Sequence, residues 1–157
     1  MLEQKDVDKI KEAVEEFFEK MTTKTSNVEV SLLSEEERDV VNLSVNLEEP
    51  QILIGQGGQT LIEIQRLLRT VLNKKLQKSF YFNLDINGYK QQKIEYLKDM
   101  ARSLADQVVL TKEEKILPPM SAYERRIIHA ELAQRTDVAT ESRGDGIDRH
   151  VVVIPKQ

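Results

Sequence analysis

An α+β fold is predicted by three features of this 157-residue chain. In three stretches apolar residues recur at three- and four-residue steps, the period of a helix that buries one face. Elsewhere apolar and polar residues alternate, the period of a strand covered on one side. The stretches follow one another as helix, strand, strand, short helix, helix, strand, which sets a sheet on one side and helices on the other.

The first helix is carried by Val7, Ile10, Val14, Phe17, Phe18 and Met21 within "VDKIKEAVEEFFEKM". Val28, Val30 and Leu32 come next, then Val41, Leu43, Val45 and Leu47 alternating with Asn42, Ser44 and Asn46. Joined by the acidic turn "SEEERD", these two runs predict an antiparallel hairpin covered on one face. After Pro50 a short apolar turn, "QILI", runs into Gly55, Gly57 and Gly58. Leu61, Ile64, Leu68, Val71 and Leu72 then mark a second long helix, ending near Leu76 to Lys78, where cations suit the helix dipole. "FYFNLDI" alternates Phe80, Phe82, Leu84 and Ile86 with Tyr81, Asn83 and Asp85, and the turn pair Asn87 and Gly88 stops it. These elements make up a first domain, residues 1–87.

Residues 88–157 make up a second. Ile94, Leu97, Ala101, Leu104 and Val108 predict a helix from about Gln91 to Leu110, which "TKEEKILPP" ends because proline cannot continue it. Ser121 and Glu124 stand at capping-box spacing and open the helix "AYERRIIHAELAQR". "DVATES" and "RHVVVIP" are candidate strands around the turn residues of "RGDGID".

Composition narrows the function. There are no cysteines, so disulfides and thiolate catalysis are excluded, a pattern that fits the cytoplasm. His129 and His150 alone do not make a structural zinc site, and no apolar run is long enough to insert in a membrane. The net charge of −4 is unevenly spread. Residues 1–50 hold 6 Lys and Arg against 14 Asp and Glu, whereas residues 51–87 hold 5 against 2. The glycine segment is therefore locally basic, through Arg66, Arg69, Lys74, Lys75 and Lys78. Charge alone favours a solvated helix face.

Glycines at the mouth of a helix point to an anion, and above all to phosphate. A P-loop is excluded, because no Lys-Ser/Thr pair follows Gly55 or Gly58. A dinucleotide fingerprint meets Thr60 where its last glycine belongs, and no parallel strand–helix–strand unit precedes it. What remains is G-x-x-G, Gly55-Gln56-Gly57-Gly58, which can hold the backbone of a single strand but which a tight turn between two helices would also use. In context, "IGQGG" between two helices after a helix and two strands resembles the K-homology domain of the second topological type, over about residues 4–87. The resemblance implies an RNA- or single-stranded-DNA-binding module. Gly55 to Gly58 would be its clamp, and the wall of the following helix and third strand its groove. The usual cation of that loop is absent, Gln56 and Gly57 standing in its place; Gln59, Arg66 and Arg69 are the candidates to compensate. On this reading Gly58→Asp adds repulsion at the clamp while leaving the fold intact.

In "ERRIIH", Arg125 and His129 are four apart and share one helix face, with Arg126 about 100° round. Arginine's fork of donors suits phosphate, and histidine can donate or stack. On spacing alone the same residues also describe a solvated face. No nucleophile, carboxylate pair or metal set accompanies His129. The string "MSAYERRIIHAEL" followed by "TESRGDGIDRHVVVIPK" resembles the Arg-x-x-x-His single-stranded nucleic-acid-binding domain, and its succession to a K-homology domain is similar to the bacterial Jag family. The resemblance implies that Arg125 and His129 are the signature pair, with Arg126 beside them and Arg143, Arg149 and Lys156 as phosphate contacts. It further implies a cytoplasmic RNA-binding regulator of RNA metabolism linked to cell elongation or division, without catalytic residues, metal or cofactor. A small stand-alone K-homology protein is the implied partner; single-stranded DNA as a ligand and a homodimer are left open. Members often bear a further N-terminal domain. The rival readings are a protein-interaction adapter whose K-homology domain has lost RNA binding, and a nuclease or phosphotransferase, for which no carboxylate cluster appears.

Overall fold

The computed structural model describes residues 2–21, 23–35 and 38–156, and the chain divides into two units, Met1–Lys90 and Gln91–Gln157. In the first, helix α1 (Gln4–Lys20) buries Ile10, Val14 and Phe18, the three- and four-residue stripe of the sequence. A reciprocal capping box between Glu3 and Asp6 starts it. Asp6 is buried but well supplied with donors, 2.7 Å from Lys78 Nζ and 2.9 Å from the Glu3 N–H. The Lys78 bond first, then that N–H, hold its carboxyl below the usual range.

Strands β1 (Thr25–Glu35) and β2 (Arg38–Leu47) pair antiparallel as the alternation predicts; turn residues 36 and 37 lie outside the described residues. The short helix α2 (Gln51–Ile54), a 3-10 turn at Gln56–Gly58 and helix α3 (Gln59–Leu76) lead to β3 (Tyr81–Ile86). β3 lies parallel to β2, in the order β1-β2-β3. A connection of that length can carry the chain back over the sheet before pairing resumes. Asn87, at φ 52°, locks the arrangement. Its main-chain N–H reaches Val45 O at 2.9 Å. Its side-chain oxygen accepts the Leu47 N–H at 2.8 Å, and its amide nitrogen donates to Leu47 O at 3.0 Å. The end of β3 is thus tied to the end of β2, from which the chain runs through α2 into the glycine loop.

Leu61, Ile64, Leu68 and Leu72 of α3 join Val41, Leu43, Val45, Phe82, Leu84 and Ile86 of the sheet in one core with α1. Burying such side chains is worth roughly 1.5–3 kcal/mol each. The sheet's other face is polar, with Asn83 bonded across to Asn42 at 2.9 Å.

The second unit is built on α4 (Tyr89–Thr111), which begins two residues earlier and ends one later than the sequence predicts. Its buried face is Leu97, Ala101, Ala105 and Val108. The remaining elements are β4 (Lys115–Ile116), α5 (Ala122–Leu132), β5 (Val138–Arg143) and β6 (His150–Pro155), with an antiparallel sheet ordered β4-β6-β5. The two-residue β4 escaped prediction because alternation cannot be read from two positions. The predicted capping box is present: the Ser121 N–H donates to Glu124 Oε2 at 2.8 Å, and the Glu124 N–H donates to Ser121 Oγ at 3.3 Å. Ile128 and Leu132 of α5 pack with Val138, Val151 and Val153 on one face of the sheet.

Candidate nucleic-acid interface

The glycine loop is shaped by what its neighbours would do to a Cβ. Gly55 lies at φ 71°, ψ −179°, a region almost closed to other residues, and a Cβ there would sit 2.1 Å from Thr60 Oγ1. Gly58, at φ +84°, is buried, and its Cβ would sit 2.7 Å from the Tyr89 ring. The proposition that Gly58→Asp spares the fold is therefore corrected: this glycine is packed against an aromatic ring. Gly57, at φ +62°, is exposed and faces open space.

Main-chain donors in the loop divide in two. The Gly55 N–H bonds Gln51 O at 2.9 Å and the Gly58 N–H bonds Gly55 O at 3.3 Å. The Gln59 N–H bonds Gln56 O. Among the described residues, the N–H groups of Gln56 and Gly57 have no protein acceptor. Both residues are exposed, and α3 starts behind them without a side-chain cap. Two adjacent free amides at the positive end of an 18-residue helix are donors of the kind that can receive an anion.

Along α3 Gln59, Ile62, Arg66 and Arg69 are all exposed. Glu63 accepts from Gln59 Nε2 at 3.1 Å and from Arg66 at 3.0 Å, an exposed pairing of small energy that is readily exchanged. The Arg69 guanidinium lies 5.4 Å from the centre of the Tyr81 ring, and that tyrosine was not singled out from the sequence.

In the second unit Arg125 and His129 point from α5 to one face of β5. His129 Nδ1 lies 2.7 Å from Thr140 Oγ1 and Nε2 lies 2.8 Å from Ser142 Oγ, which also accepts from Arg125 at 3.1 Å. One hydroxyl therefore sets both signature residues. The alternation of "VATESR" contains it, but nothing in the sequence says which strand face meets the helix. Burial pushes the His129 pKa below its ordinary value, and the positive charge of Arg125 pushes the same way. Arg125 Nε is buried without a hydrogen-bond partner. Arg102, Arg135 and Arg143 are all ion-paired with carboxylates, whereas Arg125 forms no ion pair among the described residues.

The other predicted cations are scattered. Arg126 is exposed on the neighbouring flank of α5. Arg143 projects from the opposite face of β5, pairing with Glu141 and, across β6, with Glu114, both at 3.1 Å. On that face Val152 is fully buried. Arg149 donates to Gly144 O at 3.0 Å and holds the tight turn before β6. Lys156 is exposed beyond the far end of β6, about 20 Å along the strand from Arg149. Among the described residues no acidic or histidine group is clustered for a metal ion, and no helix is long and apolar enough to cross a membrane.

Comparison with known proteins accounts for this layout. Residues 11–86 match the KH domain of KhpA/KhpB, and residues 95–155 match the Arg-x-x-x-His, or R-3-H, domain. A protein of Clostridium symbiosum named RNA-binding protein KhpB is 35% identical over 150 residues, spanning 96% of this chain and 66% of its own length. Proteins of the same name from Bacillus subtilis strain 168 and Streptococcus pneumoniae serotype 2 are 34% and 32% identical, over 78% and 81% of this chain and 60% and 39% of their own. The chain thus spans between about two fifths and two thirds of these relatives. Neither matched family is enzymatic. A KH domain with a G-x-x-G loop, followed by an Arg-x-x-x-His domain carrying the Arg125–His129 pair, places the chain in the KhpB, or Jag, family.

Proposed function

We propose that this chain binds single-stranded RNA at two places: the Gln56–Gly57 amides with the Gln59, Arg66 and Arg69 flank, and the Arg125–His129 face with Arg126. The observation that carries the reading is Arg125, a half-buried guanidinium held by a hydroxyl, where Arg102, Arg135 and Arg143 of the same unit have carboxylates. A buried charge without a counter-ion is costly, and a phosphate supplies one. Arg149 and Lys156 are outlying contacts in this scheme; Arg143 would first have to leave two carboxylates. The relatives' name, RNA-binding protein KhpB, supports RNA as the ligand. A cytoplasmic role in RNA metabolism tied to elongation or division, and a partner made of a KH domain alone, complete the proposal.

Gly57 offers the cleanest test of the loop. Gly57→Asp places a carboxylate in open space at an αL position that Asp tolerates, and Gly57→Asn is its neutral twin. The Asp variant is expected to bind a labelled single-stranded oligoribonucleotide about tenfold more weakly than the Asn variant, with equal melting temperatures. Equal affinities would turn the KH unit into a protein-interaction adapter.

Binding should also depend on pH through His129. Its folded pKa lies below the unfolded value of about 6.5, so neutral imidazole contributes stability that is present above that pH and is lost as pH falls through the folded pKa. A phosphate beside the ring reverses the shift, because it attracts the protonated form. Affinity for RNA is therefore expected to rise from pH 7.5 to 6, by up to about tenfold for each unit of upward shift, and to lose this dependence in His129→Gln. A flat wild-type profile would remove His129 from the contact.

A further inference from the structure

Several half-buried lysines of this protein sit against carboxylates. Lys78 lies 2.7 Å from Asp6 and Lys93 lies 3.4 Å from Glu124. Lys90, the second residue of α4, instead donates from Nζ to the neutral amide oxygen of Gln65 at 2.7 Å. Asp85 is engaged otherwise, its Oδ1 accepting the Lys90 main-chain N–H at 3.1 Å. No ion pair joins the two side chains among the described residues, although Asp85 still attracts the ammonium, opposing the burial that lowers the Lys90 pKa.

The ammonium occupies a telling place. Gln65 Oε1 also accepts the Leu84 N–H at 3.0 Å, and Leu84 belongs to β3, the outer strand of its sheet. Lys90 Nζ therefore sits on the seam between α3 and the free edge of β3. Tyr89, the residue before it, lays its ring against Gly58, so the seam begins beside the loop whose Gln56 and Gly57 amides are free and whose side chains carry no charge. Arg69, over Tyr81, lies on the same flank of α3.

We propose that Lys90 is a phosphate-contacting residue of the first unit, its ammonium working with the Gln56 and Gly57 amides on one single-stranded segment laid along the α3–β3 seam. This rests on the RNA-binding reading above. Lys90 lies outside both matched segments, 11–86 and 95–155. An ammonium on a flexible four-carbon stem can turn from a neutral oxygen to a phosphate while Gln65 stays with Leu84. The phosphate then supplies the direct ion pair that Asp85, bonded to the Lys90 main chain, does not make with the ammonium.

The test uses the full chain and a fluorescein-labelled 12-nucleotide oligouridylate titrated at several salt concentrations. Lys90→Gln is expected to weaken binding several-fold and to reduce the log–log salt slope by about 0.7, the value for one single-strand phosphate. Lys90→Arg, which keeps the charge, should bind nearly as wild type, and Lys93→Gln, which removes a lysine paired with Glu124, should not change binding. RNA should also protect Lys90 from amine acylation, read by peptide mass spectrometry. If Lys90→Gln binds normally, or Lys90→Arg is as weak as Lys90→Gln, while Gly57→Asp still weakens binding, the Lys90 assignment is wrong and the RNA reading stands. If neither Gly57→Asp nor the loss of Arg125 and His129 alters binding, the RNA reading itself fails and takes Lys90 with it.

Discussion

Replacing Arg125 and His129 together by alanine is expected to weaken binding to single-stranded RNA by about 10- to 100-fold. That range reflects a charge-assisted hydrogen bond worth roughly 1.5–3 kcal/mol and a tenfold change in affinity for each 1.4 kcal/mol or so. The salt slope should flatten by about 0.7 for each phosphate released. Both side chains converge on Ser142 Oγ, so their losses are coupled and the single variants should not add. A control lies on the other face of the same strand: Arg143→Ala removes ion pairs to Glu141 and Glu114, and is expected to lower the melting temperature with little change in affinity. Filter binding or anisotropy at three or more salt concentrations, with a thermal melt of each variant, separates the two cases. Unchanged affinity and slope in the double variant would point to an adapter that does not hold RNA through this face.

Gly55→Ala should be the most damaging single change to the loop, and should act on stability before binding. The backbone there is in the glycine-only region, which costs another residue roughly 1–3 kcal/mol, and the new methyl would meet Thr60 at its Oγ1, Cβ and main-chain nitrogen. Thr60 belongs to the first turn of α3, so the helix itself must shift. Overpacking of this kind adds roughly another 1–3 kcal/mol. For a unit of this size a total near 4 kcal/mol corresponds to a melting temperature lower by about 15 °C or more. Gly57→Ala, facing open space, should cost about 1 kcal/mol. Two glycines separated by one residue therefore differ several-fold in consequence. Equal melting temperatures for the two variants would mean that the loop is not held as described.

Much of this was legible because the responsible forces are local. The apolar stripe of α1, the alternation of β2 and the Ser121–Glu124 box each depend on residues within about one turn or one strand pair of one another. The Arg125–His129 pair could be set on one helix face for the same reason. Its environment could not: Thr140 and Ser142 are 11 and 13 residues from His129, and only packing of β5 against α5 brings them to the imidazole. The tail cations show the limit most clearly. In sequence Arg143 is indistinguishable from Arg125 in kind, yet strand alternation turns it to the other face, where two carboxylates receive it.

Periodicity and spacing therefore specified the elements, the glycine loop and the helix bearing the signature pair, since each is a short-range pattern imposed by backbone geometry. The parallel placement of β3, the division of the loop into engaged and free amides, the ring beneath Gly58, the ion-pair-free setting of Arg125 and the Gln65 partner of the Lys90 ammonium came from contacts between distant segments. The physical reason is that a charge's partner depends on which surfaces the buried side chains force together, and that is a property of the assembled core, not of any one stretch of chain.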